Sequence, residues 1–326
     1  MSMLKSDLTA VKTNWVLASQ NKNPADLGRV AVLMGGTSAE REISLVTGKA
    51  ILSALQRLGV DAYGIDVQDD VMAQLNANRP DRAFIALHGP GGEDGVIQGL
   101  LQWMKITFTG SSIASSSLTM NKIFTKYVWE CNGIPTPQMV IVDRNPDYRA
   151  AAERMGLPLC VKPSNEGSSF GVTRVDDWAK LDEAIENAKQ YHFDVMIEPW
   201  IEGRELTVGI IGDYALPIIE IRPKLGLYDY HSKYVKGCTE YLCPAPISDA
   251  LSSVIRAVCL RAFQLTGCEG WGRIDLMLDN QDRFWLLELN TIPGMTETSL
   301  VPKAAKAEGV EFDQLVYEIV WLSVAQ

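Results

Sequence analysis

The sequence predicts an α/β unit followed by α+β units, and three observations carry that expectation. Between residues 29 and 87, short apolar runs alternate with a helix-period segment, the pattern of a parallel sheet with helices on its faces. Beyond residue 135, strand-like runs follow one another with fewer helices between them, which predicts mixed or antiparallel sheets. The length, 326 residues, suits two or three domains and a core of useful size.

Residues 1–28 are mixed and polar and read as an extension with some helical character. Order begins at Arg29-Val-Ala-Val-Leu-Met34, a buried strand closed by Gly35-Gly36. Thr37 and Glu40 have the spacing of a capping box. Ile43, Val46, Ala50, Ile51, Ala54, Leu55 and Leu58 then repeat at the helical period until Gly59. Residues 63–67 and 83–87 are the next strands. Residues 119–131 read as one helix, stopped by Gly133 and Pro135. Strand-like runs follow at 139–142, 159–161, 195–197, 206–211 and 217–221, with a helix over 177–190. Ser248 is placed to cap a helix carrying Leu251, Val254, Ile255, Val258, Ala262 and Leu265. Residues 272–278 and 283–289 read as a hairpin about Asp279-Asn280-Gln281-Asp282. The last helix carries Leu315, Ile319 and Leu322 on one face. Unit boundaries are expected near 115–122 and 205.

Composition narrows the function. Forty Asp and Glu against 30 Lys and Arg leave a net charge of -10 with no basic block, which argues against nucleic acid and anionic membranes. Local cations can still serve a small anion. The apolar share, 47%, excludes wholesale disorder. No apolar run approaches the roughly 18 residues of a membrane span. The N-terminus lacks the continuous apolar stretch of a signal peptide. Six cysteines without a C-x-x-C pair, and only three histidines, argue for reduced thiols and against a His/Cys zinc site. A cytoplasmic protein is expected.

Five segments carry residues suited to chemistry. In Val32-Leu-Met-Gly-Gly-Thr-Ser-Ala-Glu40, a glycine turn between strand and helix exposes backbone N–H groups suited to an anion or carboxylate, or is simply a tight turn with Glu40 as cap. It is not a G-x-G-x-x-G fingerprint, and Gly48-Lys49-Ala50 is not a Walker A loop. His88-Gly-Pro-Gly-Gly-Glu-Asp-Gly95 follows a strand, at the sheet edge where α/β proteins bind ligands; an irregular loop is the plainer reading. Lys162 ends a strand before the Ser/Gly-rich stretch 164–171, a phosphate cradle of a non-Walker kind or a flexible loop. In 196–205, a strand ending at Glu198 leads into an apolar link whose backbone can meet a base edge, with Glu205 able to accept from ribose; taken alone, an amphipathic connector is the better reading. Finally, Asp275, Glu288 and Asn290 project from one face of the predicted hairpin. Two carboxylates and an amide oxygen suit magnesium bridging nucleotide phosphates, the alternative being solvated acids.

Taken together, these motifs resemble the D-alanine–D-alanine ligases, an ATP-grasp family of bacterial cell-wall precursor synthesis. The resemblance rests on GGTSAEREIS at 35–44, HGPGGEDG at 88–95, MNKIFTK at 120–126, VKPSNEGSS at 161–169, DYHSKY at 229–234, GWGRID at 270–275 and LELNTIPGMTETSLVP at 287–302. It runs from about residue 29 to the C-terminus. It implies an ATP-grasp fold, a parallel-sheet N-terminal domain followed by two α+β domains sandwiching ATP. The expected units are an extension (1–28), an N-terminal substrate-binding domain (29–119), a central ATP-grasp subdomain (120–205) and a C-terminal ATP-grasp subdomain with a mobile loop and the metal site (206–326).

The implied reaction is phosphorylation of one D-alanine carboxylate by ATP, then attack by the amine of a second. By resemblance, Glu40 holds the first D-alanine ammonium with His88 nearby. Lys122, Lys162 and Lys233 contact phosphates, and Ser168 lies in the loop covering them. Glu198, Trp200, Ile201 and Glu205 form the nucleotide-binding stretch. Tyr234 joins Glu40 and Ser168 in a hydrogen-bonded triad. Arg273 and the Gly294 backbone stabilise the oxyanion, and Ser299 and Leu300 meet the second D-alanine. Asp275, Glu288 and Asn290 hold Mg2+ or Mn2+, two ions being expected. A homodimer is implied, and a closing loop is expected at 225–237. Pro90, Ile292 and Leu289 depart from the family's usual residues without removing a catalytic group. A ligase joining D-alanine to D-lactate or D-serine, and a catalytically silent ATP-binding regulatory module, are the alternatives; Tyr234 favours the dipeptide maker.

Overall fold

The structure, a computed structural model, describes residues 15–68, 70–165, 170–191, 193–224 and 239–323. Ser168, Lys233, Tyr234 and the expected closing loop lie outside the described residues, as do His192, His231 and Cys238.

Three sheets succeed one another along the chain. The first is parallel, in the order β2-β1-β3-β4, with β1 Val30–Gly35, β2 Ala62–Val67, β3 Arg82–Ile85 and β4 Thr107–Phe108. Helices α1 (Arg41–Arg57), α2 (Val71–Ala77) and α3 (Val96–Trp103) connect its strands. The expected α/β unit is therefore present.

α4 (Ile113–Met120) and α5 (Lys122–Cys131) replace the single helix expected over 119–131. Asn121 is extended, and its Oδ1 accepts from the N–H groups of Ile123 and Phe124 at 3.0 and 3.2 Å. An asparagine in that geometry starts a new helix rather than continuing one.

The second sheet is antiparallel, β5-β8-β6-β7, with β5 Val140–Ile141, β6 Leu159–Pro163, β7 Thr173–Val175 and β8 Val195–Pro199. Leu159, Val161, Val195 and Ile197 pack one face against α6 (Tyr148–Met155) and α7 (Leu181–Lys189). Cys160, Lys162, Met196 and Glu198 alternate onto the other face, as the two-residue period of a strand requires.

The third sheet is β12-β11-β9-β13-β14, with β10 (Tyr214–Ala215) beside β9. Its strands are β9 Gly203–Ile211, β11 Ile219–Pro223, β12 Thr239–Leu242, β13 Trp271–Asp279 and β14 Phe284–Asn290. β13 and β14 form the expected hairpin, and Ser248 caps α8 (Asp249–Leu265) by accepting from the Leu251 N–H. Leu206, Val208, Ile210, Ile274, Leu276 and Leu289 bury one face with α8.

The chain ends in α9 (Leu300–Ala307) and α10 (Phe312–Leu322), whose apolar residues join the core of the first sheet. Residues 15–22 dock there as well. The Ala18 and Ser19 N–H groups each donate to the buried Glu318 carboxylate at 2.8 Å, and Trp15 stacks on Tyr214 at 5.6 Å. Two local expectations are corrected. Val46, read as apolar face, is 59% exposed, and α1 instead buries Ser44, Thr47, Gly48, Ile51, Ala54 and Leu55. Thr37 forms no capping box, because the helix starts after Glu40, whose side chain makes no cap bond.

Candidate active site

The carboxyl edge of the parallel sheet forms the first wall. Gly35 and Gly36 take φ of +82° and +81°, which glycine alone adopts without strain, and turn the chain into α1. Ser38 Oγ donates to the His88 carbonyl at 2.7 Å and accepts from the Glu40 N–H at 3.2 Å. That bond ties the two glycine-rich loops together and leaves the Glu40 carboxylate on the wall of a cleft. A Cβ on Gly89 would stand 3.0 Å from Glu40 Oε2, so glycine is what admits this approach.

His88 is buried behind that wall. Its Nδ1 lies 3.0 Å from the Ile292 carbonyl and its Nε2 3.1 Å from Thr47 Oγ1. Both ring nitrogens are spent on positioning, joining the first sheet to the segment after β14. Glu93, 3.7 Å from His88, also lines the cleft. Burial pushes its carboxyl above the ordinary range against the opposing pull of His88.

The opposite wall comes from the hairpin and α5. Register pairs Arg273 with Asn290, and Asp275 with Glu288 and Thr207, so these side chains share one face of the third sheet. Glu205 lies two residues before Thr207 on that same face. An irregularity in the pairing after Asp275 keeps Glu288 opposite it. Asp275 accepts from Arg273 Nε and Nη2 at 2.8 and 2.7 Å, from Thr207 Oγ1 at 2.6 Å and from Asn290 Nδ2 at 3.1 Å. Lys122 reaches Glu288 at 3.1 Å, and its N–H donates to the Ser164 carbonyl at 2.9 Å. Glu40, Lys122, Glu288 and Asn290 thus meet in one cleft, with Asn165 and Pro90 on its rim.

Among the described residues no group of three or more His, Cys, Asp or Glu side chains is placed to hold a metal. Asp275, Glu288 and Asn290 are two carboxylates and an amide. They fit a hard cation by donor chemistry, and Arg273 and Lys122 balance their charge here.

The second sheet contributes Lys162 and Glu198, both buried. One Glu198 oxygen accepts from Lys162 at 2.7 Å and the other from Lys126, which also donates to the Pro137 carbonyl at 3.0 Å. The Glu198 acid thus points at lysines. Burial alone would raise that carboxyl, but the two ammoniums outweigh it and hold it below the ordinary range. Burial also works against the Lys162 charge, and Glu198 overcomes it, holding the ammonium above the ordinary lysine value. Trp200 and Ile201 lie in the link between β8 and β9, with Arg174 over the Trp200 ring at 5.2 Å.

Ser299 precedes α9, Leu300 begins it, and Ser299 Oγ accepts from the Thr296 N–H at 3.0 Å. Gly294 lies against Ser299, whose Oγ would be 3.4 Å from a Cβ there. Lys126 and Glu93 are absent from the sequence reading. Each stands inside a motif already quoted, Lys126 one helical turn after Lys122, yet spacing alone does not reveal their partners.

The comparisons with known proteins agree with this architecture. The family model of the D-ala D-ala ligase C-terminus matches residues 128–321, and that of the N-terminus matches 66–111. The D-alanine--D-alanine ligase of Saccharophagus degradans is 48% identical over 91% of this chain and 95% of its own. That of Stutzerimonas stutzeri is 48% identical over 92% and 95%. The crystal structure of the Bacillus anthracis D-alanine--D-alanine ligase aligns with a TM-score of 0.83 at 32% identity, covering 91% of this chain and 98% of that one. Its ATP complex aligns at 0.80. Because relatives and fold coincide over nine-tenths of its length and the C-terminal family model alone spans more than half of it, the chain belongs to the D-alanine–D-alanine ligase family.

Proposed function

We propose that this protein joins two D-alanine molecules into D-alanyl-D-alanine at the expense of ATP, for peptidoglycan precursor synthesis. The observation that carries the reading is the cleft itself, where Glu40 from the first sheet faces Lys122, Glu288 and Asn290.

A carboxylate oxygen of the first D-alanine attacks the γ-phosphorus of ATP, and ADP leaves. The amine of the second then attacks the acyl carbon, loses a proton, and phosphate departs. Phosphoryl transfer needs positioning and neutralisation more than covalent chemistry. Glu40 holds the first substrate's ammonium, and Lys122 and Lys162 bind phosphate oxygens. Trp200, Ile201 and Glu205 receive the nucleoside, while Glu198 holds Lys162. Arg273, its guanidinium plane fixed by Asp275, and the Gly294 N–H face the developing oxyanion. Ser299 and Leu300 meet the second substrate. Ser168, Lys233 and Tyr234 belong to the same proposal by their motifs. Asp275, Glu288 and Asn290 would hold magnesium, which would supply charge neutralisation to the phosphates.

The three sheets, one in each of 29–119, 120–205 and 206–326 apart from the first residues of β9, support that division of the chain. A homodimer and a cytoplasmic location complete the reading. Val96 and Trp103, seven apart on α3 and exposed, offer apolar surface for a second copy. The five described cysteines are free. No helix among the described residues is long and apolar enough to cross a membrane.

The test is phosphate release from ATP and magnesium with and without D-alanine, with chromatography of the product. D-alanine-dependent phosphate with D-alanyl-D-alanine is expected. Preference for D-lactate as second substrate, or nucleotide binding with no product, would replace the proposal by the depsipeptide ligase or the silent module.

A further inference from the structure

We propose that Lys126 is a positioning residue for nucleotide binding: its buried ammonium locks the Glu198 carboxylate and, through it, sets Lys162. The inference rests on the reading above, in which Lys162 and the link after β8 meet ATP.

The geometry is specific. Lys122 and Lys126 stand one turn apart on α5, and each grips an acid from a different sheet, Glu288 of β14 and Glu198 of β8. α5 is thereby held to both sheets. Lys126 is fully buried, with its ammonium between Glu198 and the Pro137 carbonyl. Glu198 shows each oxygen to a lysine, so neither the acid nor Lys162 is left to choose its rotamer.

A core does not need such an arrangement. Apolar residues of like volume at a buried ion pair are often neutral or stabilising, so stability alone does not account for these charges. The chemistry they supply is a buried carboxylate between two ammoniums, one unit of positive charge in excess, beside the strand end where an anion is expected. The groups facing Lys126 are Glu198 on β8, Lys162 and Cys160 on β6, and the Pro137 carbonyl before β5. Burial lowers the Lys126 pKa, with Glu198 opposing and Lys162 reinforcing the fall. The two lysines are not equivalent in place: Lys126 is wholly enclosed and also held by the Pro137 carbonyl, whereas Lys162 stands near the strand end.

The experiment compares wild type, Lys126→Met, Glu198→Gln and the double variant. Steady-state kinetics and calorimetric ATP titration are run on the full chain. Loss of the ammonium is expected to raise the KM and Kd for ATP about tenfold or more, the worth of a charge-assisted hydrogen bond. The kcat at saturating ATP and the KM for D-alanine should stay within about threefold. On the Glu198→Gln background, Lys126→Met should add nothing, because Lys126 acts through that carboxylate. Unchanged ATP affinity in Lys126→Met, or equal losses on both backgrounds, overturns the inference. If Lys126→Met fails to fold, Lys126→Gln and Lys126→Arg decide: a raised KM for ATP in Lys126→Gln that Lys126→Arg recovers supports it, and wild-type ATP affinity in Lys126→Gln overturns it. Wild type without ATP binding would sink the functional reading itself, whereas wild type that binds alongside an unaffected variant removes only the role of Lys126.

Discussion

Asp279 shows how much one side chain decides. At the turn between β13 and β14 its Oδ1 accepts from the Gln281 and Arg283 N–H groups at 2.9 and 3.0 Å, and its Oδ2 takes the Arg283 guanidinium at 2.7 Å. Burial would raise this carboxyl, but the Arg283 and Gln281 bonds outweigh it and push it down to about 2. A folded-state value below the unfolded one adds stability above about pH 4, lost as pH falls toward 2. Asp279→Asn should cost about 1–2 kcal/mol at neutral pH and flatten the stability profile between pH 4 and 2. Urea unfolding across that range checks it, and an unchanged slope would contradict the role. Glu288 belongs to the same hairpin. Glu288→Gln removes an anionic ligand and weakens the Lys122 pair, so about tenfold more magnesium should be needed for half-maximal turnover. Wild-type turnover at limiting magnesium would remove Glu288 from the metal set.

Two elements show packing that periodicity does not announce. α1 crosses β1 at Gly48, where a Cβ would fall 2.3 Å from Met34 Cβ. The glycine of the Gly48-Lys49 pair is thus explained by close helix–strand approach rather than by a phosphate loop. Gly48→Ala should destabilise by about 1–3 kcal/mol through overpacking, and chemical denaturation with no shift in midpoint would argue against that contact. α10 carries Glu318, whose buried carboxylate satisfies the Ala18 and Ser19 N–H groups 300 and 299 residues away. Gln314 and Tyr317 add bonds to Ser19 Oγ and the Lys22 carbonyl at 3.0 and 3.1 Å. Glu318→Ala should cost about 1–3 kcal/mol and speed hydrogen exchange at Ala18 and Ser19. Exchange as slow as in wild type would show that other contacts hold the segment.

At the scale of the molecule, the first core is closed by the two ends of the chain. Val301, Ala305, Leu315, Val316, Ile319 and Val320 belong to the cluster that contains β1 and β3. Arg57 of α1 and Asp313 of α10 add a bidentate ion pair at its edge. A chain ending at residue 299 loses this cover, leaving Ile51, Leu55 and their neighbours short of packing partners. It should bind a hydrophobic dye and unfold without a cooperative transition. Cooperative unfolding at the wild-type midpoint would mean that the first sheet folds without α9 and α10.

The division between sequence and tertiary structure follows from the range of the interactions. The sequence by itself determined what neighbouring residues settle: the α/β start, the glycine turn after β1, the hairpin that presents Asp275, Glu288 and Asn290, the Ser248 cap and the family. Strand alternation, turn chemistry and contiguous motifs are local, so they are written in order along the chain. Tertiary structure alone decided which face α1 buries, because Ser44 reaches the Gly35 N–H and the Ala86 carbonyl and is as well satisfied inside as an apolar residue. It also decided that Asn121 divides a helix, that the extension is fastened by Glu318, and that Glu198 meets Lys126 across 72 residues. Those outcomes depend on strand register and on desolvation, and a buried charge finds its partner only once distant segments have packed.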